Sequence, residues 1–217
     1  MGTPGTKRQV GGARRAALSG PIAVALLLLL LSSAYGCDPA ANISRPDAGV
    51  RDEQNRQILQ RLADLGADGD WLVTMGYKPT DHLVSTATNI PISHAAVLDK
   101  STGRVVEADG SGVHYTDLMV FVDHSHRLIL IRPVWAEGKP EAGAQALQAA
   151  RGWVGKKYDF TGTIGLNDPE RVYCSELAVE IFRPFFKPSH RLPPVVEPGQ
   201  LYLWGTILFD SRPRDWE

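Results

Sequence analysis

The chain has 217 residues, a formal net charge of −1, 43% hydrophobic residues and 22% charged residues. That length is enough for one domain with a sizeable core, and the composition excludes disordered and fibrous classes. The near-neutral balance and the absence of a basic stripe argue against a nucleic-acid partner.

The N-terminal segment sets the expected compartment. Residues 1–36 contain no Asp or Glu; Lys7, Arg8, Arg14 and Arg15 precede an apolar run from Ile22 to Leu31, and small residues follow it. The run is too short to span a bilayer comfortably, and this layout predicts a secretory signal, with an uncleaved anchor helix as the competing reading. Losing it removes four positive charges, taking the net charge from −1 to −5. The boundary reads Ala34-Tyr35-Gly36-Cys37 and resembles a bacterial lipobox, although Ala34 stands where Leu is commonest and Tyr35 where a small residue is usual. The expectation is a lipoprotein signal over 1–36, a lipidated Cys37, and an exported, membrane-anchored protein facing the periplasm. The chain's other cysteine, Cys174, lies deep in the globular part, so separate roles are expected rather than one disulfide.

Residues 37–50, rich in Ala, Pro and small polar side chains, read as a tether, which leaves 51–217 as the domain. Arg51 to Leu65 carries Ile58, Leu62 and Leu65 at helical spacing, with Gly66 as its stop. A short strand is expected around Trp71 to Met75. Strands at 94–99 and 104–109 flank the turn Lys100-Ser101-Thr102-Gly103. A short helix is expected around 117–123, a continuous apolar strand around 127–133, and helices over Glu141 to Val154 and 173–182. The burst LYLWGTILF near the C-terminus is expected to pack back as a strand. Strands clustered ahead of helices predict an α+β fold rather than alternating βαβ units.

Cys174 stands at or near the start of the YCSELAVEIF helix, where backbone N–H groups and the helix dipole favour a thiolate. Asp168-Pro169 is a competing helix start, which would put Cys174 in the second turn. If residue 99 faces 104 across the hairpin, Ala96 faces Glu107 and His94 faces Asp109. Glu107 is then a diagonal neighbour of His94, and a one-residue slip would send both acids to the other face. Glu107, Asp109 and His114 all stay open as groups that orient His94. Asp123, His124 and His126 lie together, yet no second cluster at ligand spacing accompanies them, so neither a metal nor a cofactor is expected.

Taken in order, SHAAVL, VVEADGSGVHYTDL, GKKYDF and YCSELAVEIF resemble the YiiX/YaeF-like branch of the permuted NlpC-type, papain-like cysteine hydrolases, over roughly 66–205. The resemblance implies a circularly permuted papain-like fold, an antiparallel sheet or barrel packed against helices. It implies Cys174 as nucleophile, His94 as base, Glu107 as the third polar member and Tyr158 as a possible oxyanion donor beside the Cys174 N–H. The activity implied is hydrolysis of an amide, such as a peptidoglycan peptide, through a thioester. A lipid-directed acyl hydrolase or acyltransferase, or a non-catalytic lipid-binding module, is the alternative on the same fold. The expected partners are a peptide or lipid-like substrate in a groove and the membrane through Cys37.

Overall fold

The computed structural model describes residues 45–214. The expected signal and the lipidation site Cys37 lie outside those residues. Helix α1 (Ala48–Leu65) begins ahead of the expected Arg51, so 48–50 belong to the helix and not to the tether. It buries Ile58 and Leu62 and ends where the N–H of Gly66 bonds to Leu62 O at 3.0 Å. Among the described residues, no helix is long and apolar enough to cross a membrane.

The strands follow as β1 (Trp71–Gly76), β2 (His94–Asp99), β3 (Arg104–Asp109), β4 (Gly112–Asp117), β5 (Ser125–Pro133), β6 (Lys157–Tyr158), β7 (Arg171–Val172) and β8 (Gly205–Asp210). Six of them form one antiparallel sheet in the order β4-β3-β2-β1-β5-β8, while β6 and β7 pair in parallel as a two-residue ladder. The sheet is open, with β4 and β8 at its edges, so of the two expected forms it is the sheet and not the barrel. β1 and β5 are interior strands covered on both faces, which is why WLVTM and LILI are near-continuous apolar runs rather than alternating ones.

The β2–β3 hairpin adopts the predicted register, with Asp99 opposite Arg104 and Ala96 opposite Glu107. Its turn is a 3-10 segment (Lys100–Thr102) closed by Gly103 at φ 65°, ψ 34°, a left-handed conformation that a side chain would strain. The Asp99 carboxylate accepts the Thr102 N–H at 3.2 Å. The β2–β3 ladder stops at Ala96↔Glu107, so the expected His94–Asp109 pair does not form, and His94 is in register with Thr74 of β1.

Alternation divides the core between the two faces of the sheet. On one face Val73, Ala95, Val97, Val106 and Ile131 pack with Ala146, Leu147 and Ala150 of α4 (Pro140–Trp153) and with Leu177, Ala178 and Ile181. On the other, Leu72, Ala96, Leu98, Val105 and Leu130 pack with Ile58 and Leu62 of α1 and with Phe121 and Val122 of α3 (Leu118–Asp123). The side chain of Asp117 caps α3 by accepting from the N–H groups of Met119 (2.9 Å) and Val120 (3.3 Å). Each of the larger side chains among them (Val, Leu, Ile and Phe) is worth about 1.5–3 kcal/mol when fully buried.

Beyond the β6–β7 ladder, three more elements depart from the sequence reading. The helix α2 (Pro79–Thr88) is unexpected because PTDHLVSTAT has no clear apolar stripe; its start rests on Pro79 and on Asp81, whose carboxylate accepts the Lys78 N–H at 2.9 Å. β4 is short and half-exposed, and its pairing with β3 defines it better than its composition does. The C-terminal burst is not one strand, since Pro198–Trp204 forms 3-10 turns and only Gly205–Asp210 joins the sheet.

Candidate active site

Helix α5 (Cys174–Glu180) begins at Cys174 itself, with Tyr173 extended before it at φ −101°, ψ 171°. Residues 166–170 are not helical, so the Asp168-Pro169 start does not occur. Two contacts fix the entry to this helix. The Tyr173 hydroxyl accepts the Val196 N–H at 2.8 Å, and the Ser175 hydroxyl donates to Val196 O at 2.7 Å. Leu177, Ala178 and Val179 are fully buried behind them. The sulfur is therefore held by packing, not by a flexible loop.

His94 is the first residue of β2 and is half-buried, against Phe121 at 6.2 Å between ring centroids. The strand start is anchored by its neighbour Ser93, whose N–H donates to Thr74 O at 2.9 Å and whose hydroxyl donates to Asp81 at 3.0 Å. Asp81 comes so close to β1 that a side chain at Gly76 would meet its carboxylate at 2.3 Å. The unpredicted helix α2 thus positions the end of the sheet on which His94 sits.

The imidazole Nε2 of His94 donates to Glu107 Oε2 at 2.6 Å. That leaves Nδ1 as the ring nitrogen available to Cys174, and the thiol and the imidazole shift each other in opposite directions. The backbone N–H of Ala95 also favours the thiolate, and the Ser175 hydroxyl lies 3.9 Å from the sulfur. Cys174 is only 7% exposed. Of the acids left open by the sequence, Glu107 is the one on His94. Asp109 instead accepts the N–H (2.8 Å) and hydroxyl (2.6 Å) of Ser111 in the next turn. His114 stands opposite Glu107 on β4, with Nε2 at 3.6 Å from Oε1.

Sequence reasoning missed Thr116, whose hydroxyl donates to Glu107 Oε1. The signal was available: with Glu107 opposite His114, Thr116 is the diagonal neighbour on the same face. It also missed the Ala95 N–H, which a side-chain reading has no means to find.

The electrostatics follow from these contacts. Burial is the largest influence on Cys174 and pushes its thiol up, but the hydrogen bond and charge of His94, the Ala95 N–H and Ser175 outweigh it, and the net direction is down. Burial likewise disfavours the His94 cation, yet Cys174 and Glu107 together raise the imidazole well above its ordinary value. Glu107, also opposed by burial, is brought down to about 2 by His94 and Thr116. The arrangement favours a thiolate beside an imidazolium beside a carboxylate. Tyr158 is half-buried; burial first, then the charge on Cys174, pushes its phenol well above the ordinary value, so it stays an O–H donor. Cys174 is the first residue of its helix, where N–H groups have no intrahelical acceptor.

The other histidine-rich segment is used structurally. Asp123 accepts from Asn55 (2.9 Å) and forms an ion pair with Arg51 (2.9 Å), and the His126 ring packs on Tyr77 at 5.4 Å. Among the described residues, no three His, Cys, Asp or Glu side chains converge as ion ligands would.

Residues 71–190 match the family described as permuted papain-like amidase enzyme, YaeF/YiiX, C92 family. Among solved structures the chain is similar to the crystal structure of metalloprotein yiiX from Escherichia coli O157:H7, at 25% identity and a TM-score of 0.47. The match covers 55% of this chain and 66% of that one, just under two thirds of its length. No curated protein matches the chain.

Proposed function

The chain belongs to the YaeF/YiiX family of permuted papain-like amidases, and from that premise we propose that it is a cysteine amidase acting through Cys174, His94 and Glu107. The observation that carries this reading is the 2.6 Å hydrogen bond from His94 to Glu107, on the imidazole that draws the neighbouring Cys174 thiol down. The thiolate attacks an amide carbonyl and the carbonyl electrons move onto oxygen. The Cys174 N–H and the Tyr158 hydroxyl are the groups available to hold that oxyanion. When the intermediate collapses, the C–N bond breaks, the His94 imidazolium gives its proton to the leaving nitrogen, and a thioester remains on Cys174. Neutral His94 then takes a proton from water, whose oxygen attacks the thioester and releases the acid and the thiolate.

The same contacts set the pH dependence. The nucleophile is lost as pH falls through the lowered Cys174 value, and the proton donor is lost as pH rises through the raised His94 value. Activity is therefore a bell whose limbs are pushed apart by the ion pair. Glu107 acts through His94 and is a positioning residue. Glu107→Gln is expected to lower kcat by about 10–100-fold and to bring the alkaline limb down, because an amide does not hold the cation. The pH profile of kcat/KM checks this; an unmoved alkaline limb contradicts it.

The amidase reading is tested by assaying the full chain on a peptidoglycan stem peptide and on simple N-acyl amides, with hydroxylamine added to intercept the thioester. Release of amine together with an acyl hydroxamate supports it; intact amides in every case overturn it. Export and anchoring rest on the sequence of residues 1–37 alone. We propose that diacylated Cys37 tethers the domain to the membrane, so Cys37→Ser moves the protein to the soluble fraction on cell fractionation. Unchanged membrane association would exclude Cys37 as the anchor.

A further inference from the structure

A second cavity, of about 410 Å³, is lined by α5 on one side and by the segment 186–196 on the other. Its size falls in the range of small-molecule sites, about 300–1,000 Å³. None of Cys174, His94 and Glu107 lines it. The two walls are tied together where the Tyr173 hydroxyl accepts the Val196 N–H at 2.8 Å. Pro193 and Pro194 restrict the backbone of the second wall, so the cavity is largely preformed.

The charges around it are not all matched. Glu180 is answered by Arg183, whose Nε donates to the two carboxylate oxygens at 2.6 and 2.8 Å. Glu176, one turn earlier, forms no ion pair among the described residues and accepts only the Tyr173 N–H, at 3.4 Å. Burial first, then the carboxylates of Asp159 and Glu180, push its carboxyl up to about 7, against the Tyr173 N–H and Arg183. On the other wall Arg191 forms no ion pair among the described residues either. Its Nη1 donates to Pro188 O (2.6 Å) and His190 O (3.0 Å), which holds the guanidinium on its own loop and leaves the rest of its donors for an acceptor. Phe186 and Leu192 add apolar lining.

We propose that this cavity binds a small zwitterion of the α-amino-acid class, with its ammonium on Glu176, its carboxylate on Arg191 and its apolar side chain against Phe186 and Leu192. One unmatched charge of each sign in a single cavity is answered by a ligand that carries both. A simple anion would leave Glu176 uncompensated, and a simple cation would leave Arg191 so. The site uses none of the groups that attack the amide, so it stands or falls independently of the amidase reading.

The test is calorimetric titration of the full chain with L-leucine, with isocaproate, which lacks the ammonium, and with isoamylamine, which lacks the carboxylate. Leucine is expected to bind about 10–100-fold more tightly than either single-charge analogue, the effect of one charge-assisted hydrogen bond. Glu176→Gln and Arg191→Gln are each expected to weaken leucine by a similar factor. Glutamine keeps an acceptor for the Tyr173 N–H, and Arg191 is exposed, so neither change disturbs the fold. Absence of leucine binding, or equal binding of all three probes, overturns the proposal without any substitution. A pH series places the ammonium. Leucine stays a zwitterion from about pH 6 to about pH 8 while Glu176 goes from mostly neutral to mostly ionised, so affinity rises about tenfold with pH. Tyr173, Asp159, Glu180, Arg183, His190 and Arg191 face Glu176 or the cavity as well, and the Gln variant isolates the share of Glu176. The pH step is expected to vanish in Glu176→Gln; a step that survives there overturns the pairing of the ammonium with Glu176.

Discussion

Cys174→Ala is expected to lower amide turnover by about 10⁴-fold or more, while the thermal unfolding transition stays within a few degrees of the parent. The kinetic loss is large because no other group among the described residues stands on His94 in a position to accept the acyl group. The neighbouring Ser175 hydroxyl is committed to Val196 O at 2.7 Å and is buried. The structural loss is small because alanine removes one sulfur at the edge of the core, and the helix behind it is held by Leu177, Ala178 and Ile181. Removing the thiolate also removes one member of a buried ion pair, which leaves His94 free to lose its extra proton rather than stay charged beside an empty site. The check is a turnover assay with purified protein beside a melting curve. Turnover retained in a folded variant would exclude Cys174 as the nucleophile.

His94→Ala carries the second large effect, nearly equal in size, because residues that act as a unit lose most of the rate when either is removed. Its distinguishing signature lies in the pH dependence of the sulfur. His94 supplies the main forces that bring the Cys174 thiol down against burial. With them gone, desolvation is no longer offset, and half-maximal alkylation is expected to move to or above the ordinary thiol value of about 8.5. A merely structural histidine would lower the rate without this displacement. Rates of iodoacetamide labelling at Cys174 across pH, read by mass spectrometry in parent and variant, separate the two.

Much of this site was legible in the sequence, for identifiable reasons. The Lys100–Gly103 turn determines which residues of β2 and β3 face each other, and from that count alone Glu107 falls diagonal to His94. Pairing arithmetic could not choose between Glu107 and Asp109, because the choice depends on where the ladder ends. It ends at Ala96, and Asp109 turns instead to Ser111. The meeting of His94 with Cys174 was not readable from periodicity. By alternation His94 shares its parity with Ala96 and Leu98, which pack toward α1 and α3, whereas α5 packs with Ala95 and Val97 on the opposite face. The two side chains meet at the sheet end where β2 begins, a relation that only the family motifs implied. α2 is not legible in the sequence because its part is to brace that end through Asp81 and Ser93, by hydrogen bonds rather than an apolar stripe. Strand β8 begins later than the apolar burst suggests because Leu201 is buried while Leu203 is 77% exposed, so the burst supplies a turn before it supplies a strand.

The mechanism depends most directly on the charge state of one sulfur. Thiolate absorbance near 240 nm, taken as the difference between the full chain and its Cys174→Ala variant during a pH titration, reports that charge without substrate. A signal already present at neutral pH, vanishing only on acidification and missing in His94→Ala, is the predicted result. A signal that appears only near pH 8.5 or higher in the parent would show an ordinary buried thiol, and the ion pair would have to be abandoned.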